Sequence, residues 1–114
     1  MTFSDVADAI DAEILHQGKN FHTQQIRHFL ACDLMSDVLV TEEEELLLIT
    51  SLPSEQTART ADMVGACGIV LVNGKLPQAG LIELCHKLDL TLLRTALPCF
   101  DTCWRLGDKH SPQV

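Results

Sequence analysis

The sequence predicts an α/β fold: a single domain with a mostly parallel sheet covered by helices, and βαβ repeats in the C-terminal two thirds. Three observations carry this expectation. Short continuous apolar runs recur at "ELLLIT" (45–50), "GIVLV" (68–72) and "LTLLRT" (90–95), and such runs suit strands buried on both faces. Between them lie segments whose apolar residues recur at helical spacing. At 114 residues the chain has the size of one compact domain.

The elements follow in order. "FSDVADAIDA" sets Phe3, Val6 and Ile10 on one helical face, and "EILHQG" reads as a short strand. "HTQQIRHFLACDL" reads as another strand, and "MSDVLV" as a short helix. The acidic run at 42–45 is read as a solvated turn before the strand at 45–50. Ser51 or Ser54 then caps a helix with Pro53 near its first turn, where a missing N–H is harmless. Ala58, Ala61 (or Met63) and Val64 continue that helix, and Gly65 and Gly68 end it and open "GIVLV". "PQAGLIELCHKLD" carries the stripe Leu81, Leu84, Cys85 and Leu88. Pro98 opens the last helix, whose inward face is expected from Phe100, Cys103 and Trp104, with Gly107 as its stop. Residues 1–107 form the domain, and "DKHSPQV" (108–114) is expected to be a flexible tail. Strands alternating with helices need crossover connections, so the sheet is parallel there.

Composition excludes several functions. The net charge of −8 opposes nucleic acid, which demands a basic face that releases counterions, and it opposes an anionic membrane surface. No apolar run approaches the roughly 20 residues of a membrane span. The N-terminus lacks the basic-then-apolar order of a signal peptide, so a cytoplasmic location is expected. The five cysteines (Cys32, Cys67, Cys85, Cys99 and Cys103) are odd in number and contain no Cys-x-x-Cys, so neither a disulfide framework nor a resident metal is expected. Cys99 and Cys103 share a helical face, Cys103 as a small core residue and Cys99 at the helix start.

The stretch "GIVLVNGK" ends like a nucleotide-binding loop. A P-loop needs four residues between its glycines and a hydroxyl after the lysine. Here five residues separate Gly68 from Gly74, they belong to the strand, and Leu76 stands in the hydroxyl position. The reading is therefore a strand followed by a turn, with Lys75 at its carboxyl end. Open α/β sheets place ligand crevices at that edge, and helix N-termini there favour anions. Thr50, Ser51, Asn73, Lys75, Arg94 and Thr95 are the candidate residues for a small anionic ligand. No cofactor is implied. No Gly-x-Ser-x-Gly elbow, zinc-helix histidine pair or dinucleotide-binding glycine fingerprint is present, so catalysis is not expected.

The strings "DLMSDVLV", "LLLITSLPSEQTARTADMVGACGIVLVNGKLPQAGLIELCHKLDLTLLRT" and "CFDTCWRL" together resemble the DRTGG-domain proteins. The pieces that carry the likeness are Asp33, Ser36 and Asp37; Arg59, Thr60 and Ala61; and Gly74, Lys75 and Pro77. The likeness spans residues 3 to 107, and the chain is also similar to the N-terminal domain of HPr kinase/phosphorylase. The string Asp-Arg-Thr-Gly-Gly itself is absent. The resemblance implies a homodimeric, non-catalytic, regulatory module. It also implies a protein partner as the alternative, in an adaptor that accompanies an iron-hydrogenase or signalling system. For that adaptor, Leu34, Met35, Val38 and Leu39 are the candidate docking face. A third alternative, read from the cysteines and not from the resemblance, is a thiol or metal sensor at Cys99 and Cys103 with Cys85.

Overall fold

A computed structural model describes residues 1–110, His110 by its backbone alone. The order is α1 (Phe3–Ile10), β1 (Glu13–His16), β2 (His28–Ala31), α2 (Met35–Val38), β3 (Leu46–Thr50), α3 (Glu55–Met63), β4 (Gly68–Leu71), α4 (Ala79–Leu88), β5 (Thr91–Arg94) and α5 (Cys99–His110). The five strands form one sheet in the order β1-β5-β4-β3-β2. β2 through β5 run parallel in register, and β1 joins the β5 edge antiparallel. The α/β class and the βαβ repeats are as the sequence predicts.

Alternation along the strands divides the core in two. Leu46, Leu48, Ile69, Leu71 and Leu92 face one side, where Ala58 and Ala61 of α3 and Leu81 and Cys85 of α4 cover them. Leu47, Ile49, Val70 and Leu93 face the other, against Phe3, Val6 and Ile10 of α1 and Leu106 of α5. Helices on both faces explain why β3 and β4 are buried at every position. Gly68 fits this packing for a specific reason: a Cβ there would lie 2.6 Å from Cε1 of Phe3. α1 is closed by a reciprocal cap, with Thr2 Oγ1 accepting from the Asp5 N–H and the Thr2 N–H donating to the Asp5 carboxylate.

Four expectations change. The strand over "HTQQIRHFLACDL" shrinks to His28–Ala31, because the Ile26 N–H donates to Met1 O and the Arg27 N–H to Glu45 O. Met63 is exposed, and Thr57 and Thr60 take the inward positions of α3. Phe100 and Trp104 are 77% and 62% exposed, so the inward face of α5 is Thr102 and Leu106 with half-buried Cys99 and Cys103. Gly107 does not stop α5, which continues to His110. Residues 108–110 of the expected tail are therefore helical, and residues 111–114 lie outside the described residues.

Candidate functional site

Because β3, β4 and β5 are adjacent and parallel, their carboxyl ends bring Thr50, Ser51, Asn73, Lys75, Arg94 and Thr95 to one edge of the sheet. β2 ends at the same edge and adds Asp33. Asp33 organises the first loop. Its carboxylate accepts from Thr50 Oγ1 at 2.8 Å, the Ser51 N–H at 2.7 Å and Ser51 Oγ at 2.7 Å. The Ser51 backbone and side-chain hydrogen bonds, then that of Thr50 and the Lys75 charge, hold the Asp33 carboxyl below its ordinary pKa. Asp33 was not among the candidate ligand residues.

The stretch after β4 is a tight turn. Asn73 and Gly74 have φ of 62° and 64°, and the Lys75 N–H donates to Val72 O at 3.2 Å. Positive φ at both central residues is the requirement of a type I′ turn, which favours Asn-Gly. Asn73 also accepts the Cys99 N–H on its Oδ1 at 3.2 Å, satisfying a donor at the start of α5. Arg94 clamps the turn from β5. Its Nε–H donates to Lys75 O at 2.9 Å and its Nη2–H to Gly74 O at 3.0 Å. Thr95 turns away from this surface, and its buried hydroxyl donates to Ile10 O at 2.7 Å.

The six candidate residues thus divide by role. Thr50, Asn73, Arg94 and Thr95 have backbone or Asp33 partners that shape the edge, and Ser51 is tied to Asp33 by two hydrogen bonds. Lys75 alone of the set presents an exposed ammonium. α3 and α4 begin at the same edge of the sheet without side-chain caps at Ser54 or Gln78, and the Gln78 N–H donates to Pro53 O at 2.9 Å, tying the two helix starts together. Their amide ends carry partial positive charge. Glu55 in the first turn of α3 carries the opposite charge and pairs with Arg59 at 3.1 Å. Lys75 and the helix amides can attract an anion at this edge, against the charges of Asp33, which the Lys75 ammonium already faces, and Glu55.

The docking face expected at Leu34, Met35, Val38 and Leu39 is only partly exposed. Met35 and Val38 are buried in the core beside α3, because their spacing on a short helix aims both inward. Leu34, Leu39 and the neighbouring Val40 are exposed. Cys85 is buried in the α4 core and cannot join Cys99 and Cys103, which sit on the opposite face of the sheet. Burial pushes the Cys85 and Cys67 thiols up to about 11. Among the described residues no group of three His, Cys, Asp or Glu side chains is placed to hold a metal ion.

Two further features escaped the sequence reading. The rings of His16 on β1 and His86 on α4 meet at 4.1 Å, with His16 Nε2 3.7 Å from Asp89 Oδ1. A cavity of about 440 Å³ opens at the amino ends of β4 and β5, with Glu45, Asp62 and Asp89 in its wall. Its acids repel an anion, so size alone does not make it the anion site. Among the described residues, no helix is long and apolar enough to cross a membrane.

No family model matches the chain, and no curated protein matches it. The structure is similar to the CBS and DRTGG domains of the regulatory region of Clostridium perfringens pyrophosphatase, solved in complex with its activator diadenosine tetraphosphate. The TM-score is 0.78 at 15% identity, over 92% of this chain and 45% of that one. The chain thus spans less than half of that structure, and at this identity the likeness is one of fold.

Proposed function

We propose that the chain is a non-catalytic regulatory module that senses a small anion or nucleotide as a homodimer in the cytoplasm. The observation that carries this reading is the exposed Lys75 on a type I′ turn held by Arg94, at the same sheet edge as the starts of α3 and α4, which lack side-chain caps. The likeness of fold to a regulatory region that binds a phosphate-rich activator supports it. The alignment of strand ends gives the site its physical basis, since ligands of open α/β sheets bind outside the carboxyl ends of strands. Arg94 serves as a positioning residue through its hold on the turn carbonyls. A thermal-melting screen with inorganic phosphate, pyrophosphate, ATP and diadenosine tetraphosphate tests the reading. A saturable rise in melting temperature with at least one of them is expected, and no rise with any would overturn it.

A second reading, a protein-interaction adaptor that accompanies an iron-hydrogenase or signalling system, is favoured by one observation. Leu34, Leu39 and Val40 are 60%, 45% and 78% exposed and flank α2. A pull-down with Leu34→Ser/Val40→Ser separates the readings: loss of a partner without loss of anion binding would favour the adaptor.

A further inference from the structure

We propose that Cys99 and Cys103 form a two-thiol site for a soft, thiophilic centre, and that the ligand it fits is a monosubstituted trivalent arsenical. The two sulfurs lie 4.0 Å apart, one helical turn from each other at the start of α5, and both residues are half-buried. That separation is about twice the roughly 2.05 Å of a disulfide bond. Cβ atoms one turn apart on a helix stay about 5–6 Å from each other, beyond the ~4.5 Å limit a disulfide tolerates. A direct sulfur–sulfur bond would therefore distort α5. A centre with bonds of about 2.3 Å to each sulfur, as in thiolate–metal sites, spans the observed gap with the helix intact.

The surroundings select among soft centres. Among the described residues no third ligand completes a metal site, so the centre must be content with two protein sulfurs. The other three thiols are elsewhere: Cys32 and Cys67 donate to the Leu34 and Leu46 carbonyls, and Cys85 lies in the α4 core. An arsenical brings its third bond, to carbon, with it. A small apolar cleft of about 160 Å³ opens beside Cys103, walled by Phe29 and Ile49 of the sheet and by Leu106, and it receives that organic group. Burial and the neighbouring Cys99 keep the Cys103 thiol protonated, with its pKa raised to about 11. A divalent cation would first have to expel both protons. An arsenous oxide uses them: two As–S bonds form, the As=O and two S–H bonds break, and the oxygen leaves with both protons as water. Arsenic stays trivalent, so no oxidant or reductant is needed. The site is independent of the anion reading, although the Cys99 N–H is one hydrogen bond from Asn73.

The test treats the reduced full-length chain with phenylarsine oxide and follows intact mass and a peptide map. One adduct per chain bridging positions 99 and 103 is expected, released by 2,3-dimercaptopropanol at a concentration roughly 100-fold or more below that of 2-mercaptoethanol, as chelation by paired thiols requires. Cys99→Ser and Cys103→Ser should each abolish that difference, and Cys32→Ser should preserve it. Mapping on the unsubstituted chain keeps the result independent of how the variants fold. An adduct mapped to other cysteines, equal release by both reagents, or no adduct would overturn the proposal.

Discussion

Asp33 carries more of the edge than its exposed position implies. Three short hydrogen bonds converge on its carboxylate, and its folded pKa is lowered, first by the Ser51 backbone N–H. A lowered carboxyl pKa stabilises the fold above the unfolded value, and that contribution disappears as pH falls through the folded value. Asp33→Asn is expected to cost about 1–2 kcal/mol near neutral pH, a range discounted for exposure. The difference from the parent should shrink in acid, below the ordinary carboxyl pKa of about 3.9; urea melts at both pH values check it. A second residue-level expectation concerns Gly68, where a methyl group would collide with the Phe3 ring. Gly68→Ala should destabilise by about 1–3 kcal/mol through overpacking, and Phe3→Leu should relieve part of that in a double-mutant cycle. Asp33 was illegible as a site residue because its partner Ser51 is 18 positions away. Only the pairing of β2 beside β3 brings them together, and no local spacing encodes that neighbour. The failure of Met35 and Val38 as a docking face has a similar source. Apolar residues three apart on a short helix look alike whether they face a partner or the protein's own core.

At the scale of elements, the turn after β4 decides what "GIVLVNGK" means. The sequence excluded a P-loop by spacing, and the left-handed Asn73 and Gly74 show the turn that stands in its place. Gly74→Ala forces a side chain onto φ of 64° and should cost about 1–2 kcal/mol, read from denaturant midpoints. The buried strands were legible because helices on both faces demand unbroken apolar runs, and Leu46–Thr50 and Gly68–Leu71 are buried throughout. α5 was legible as a helix and misread in orientation. Its largest apolar side chains, Phe100 and Trp104, drew the expected face toward themselves. The spacing of Cys99, Thr102, Cys103 and Leu106 describes an equally regular stripe, and it is the one that meets the sheet. A run holding two such stripes does not fix which one is buried. β1 shows another limit: four residues with exposed and half-buried positions mark a strand, yet not that it lies antiparallel on the β5 edge.

For the whole molecule, the homodimer and the ligand belong to one proposal. Native mass spectrometry should give twice the 12.6 kDa chain mass, and a monomer at micromolar concentration would remove the dimer while leaving the site. Met35→Glu is expected to unfold the chain, because it places a carboxylate in a position only 4% exposed; far-ultraviolet circular dichroism reads that loss. The central claim is that Lys75 on its turn binds a small phosphate-bearing anion. Isothermal titration of the full chain with the most stabilising of the screened anions, beside Lys75→Ala, tests it most directly. Saturable binding by the parent, weakened tenfold or more in a Lys75→Ala chain of unchanged melting temperature, is the expected result. The same affinity in both chains would contradict it and move any anion site away from this edge.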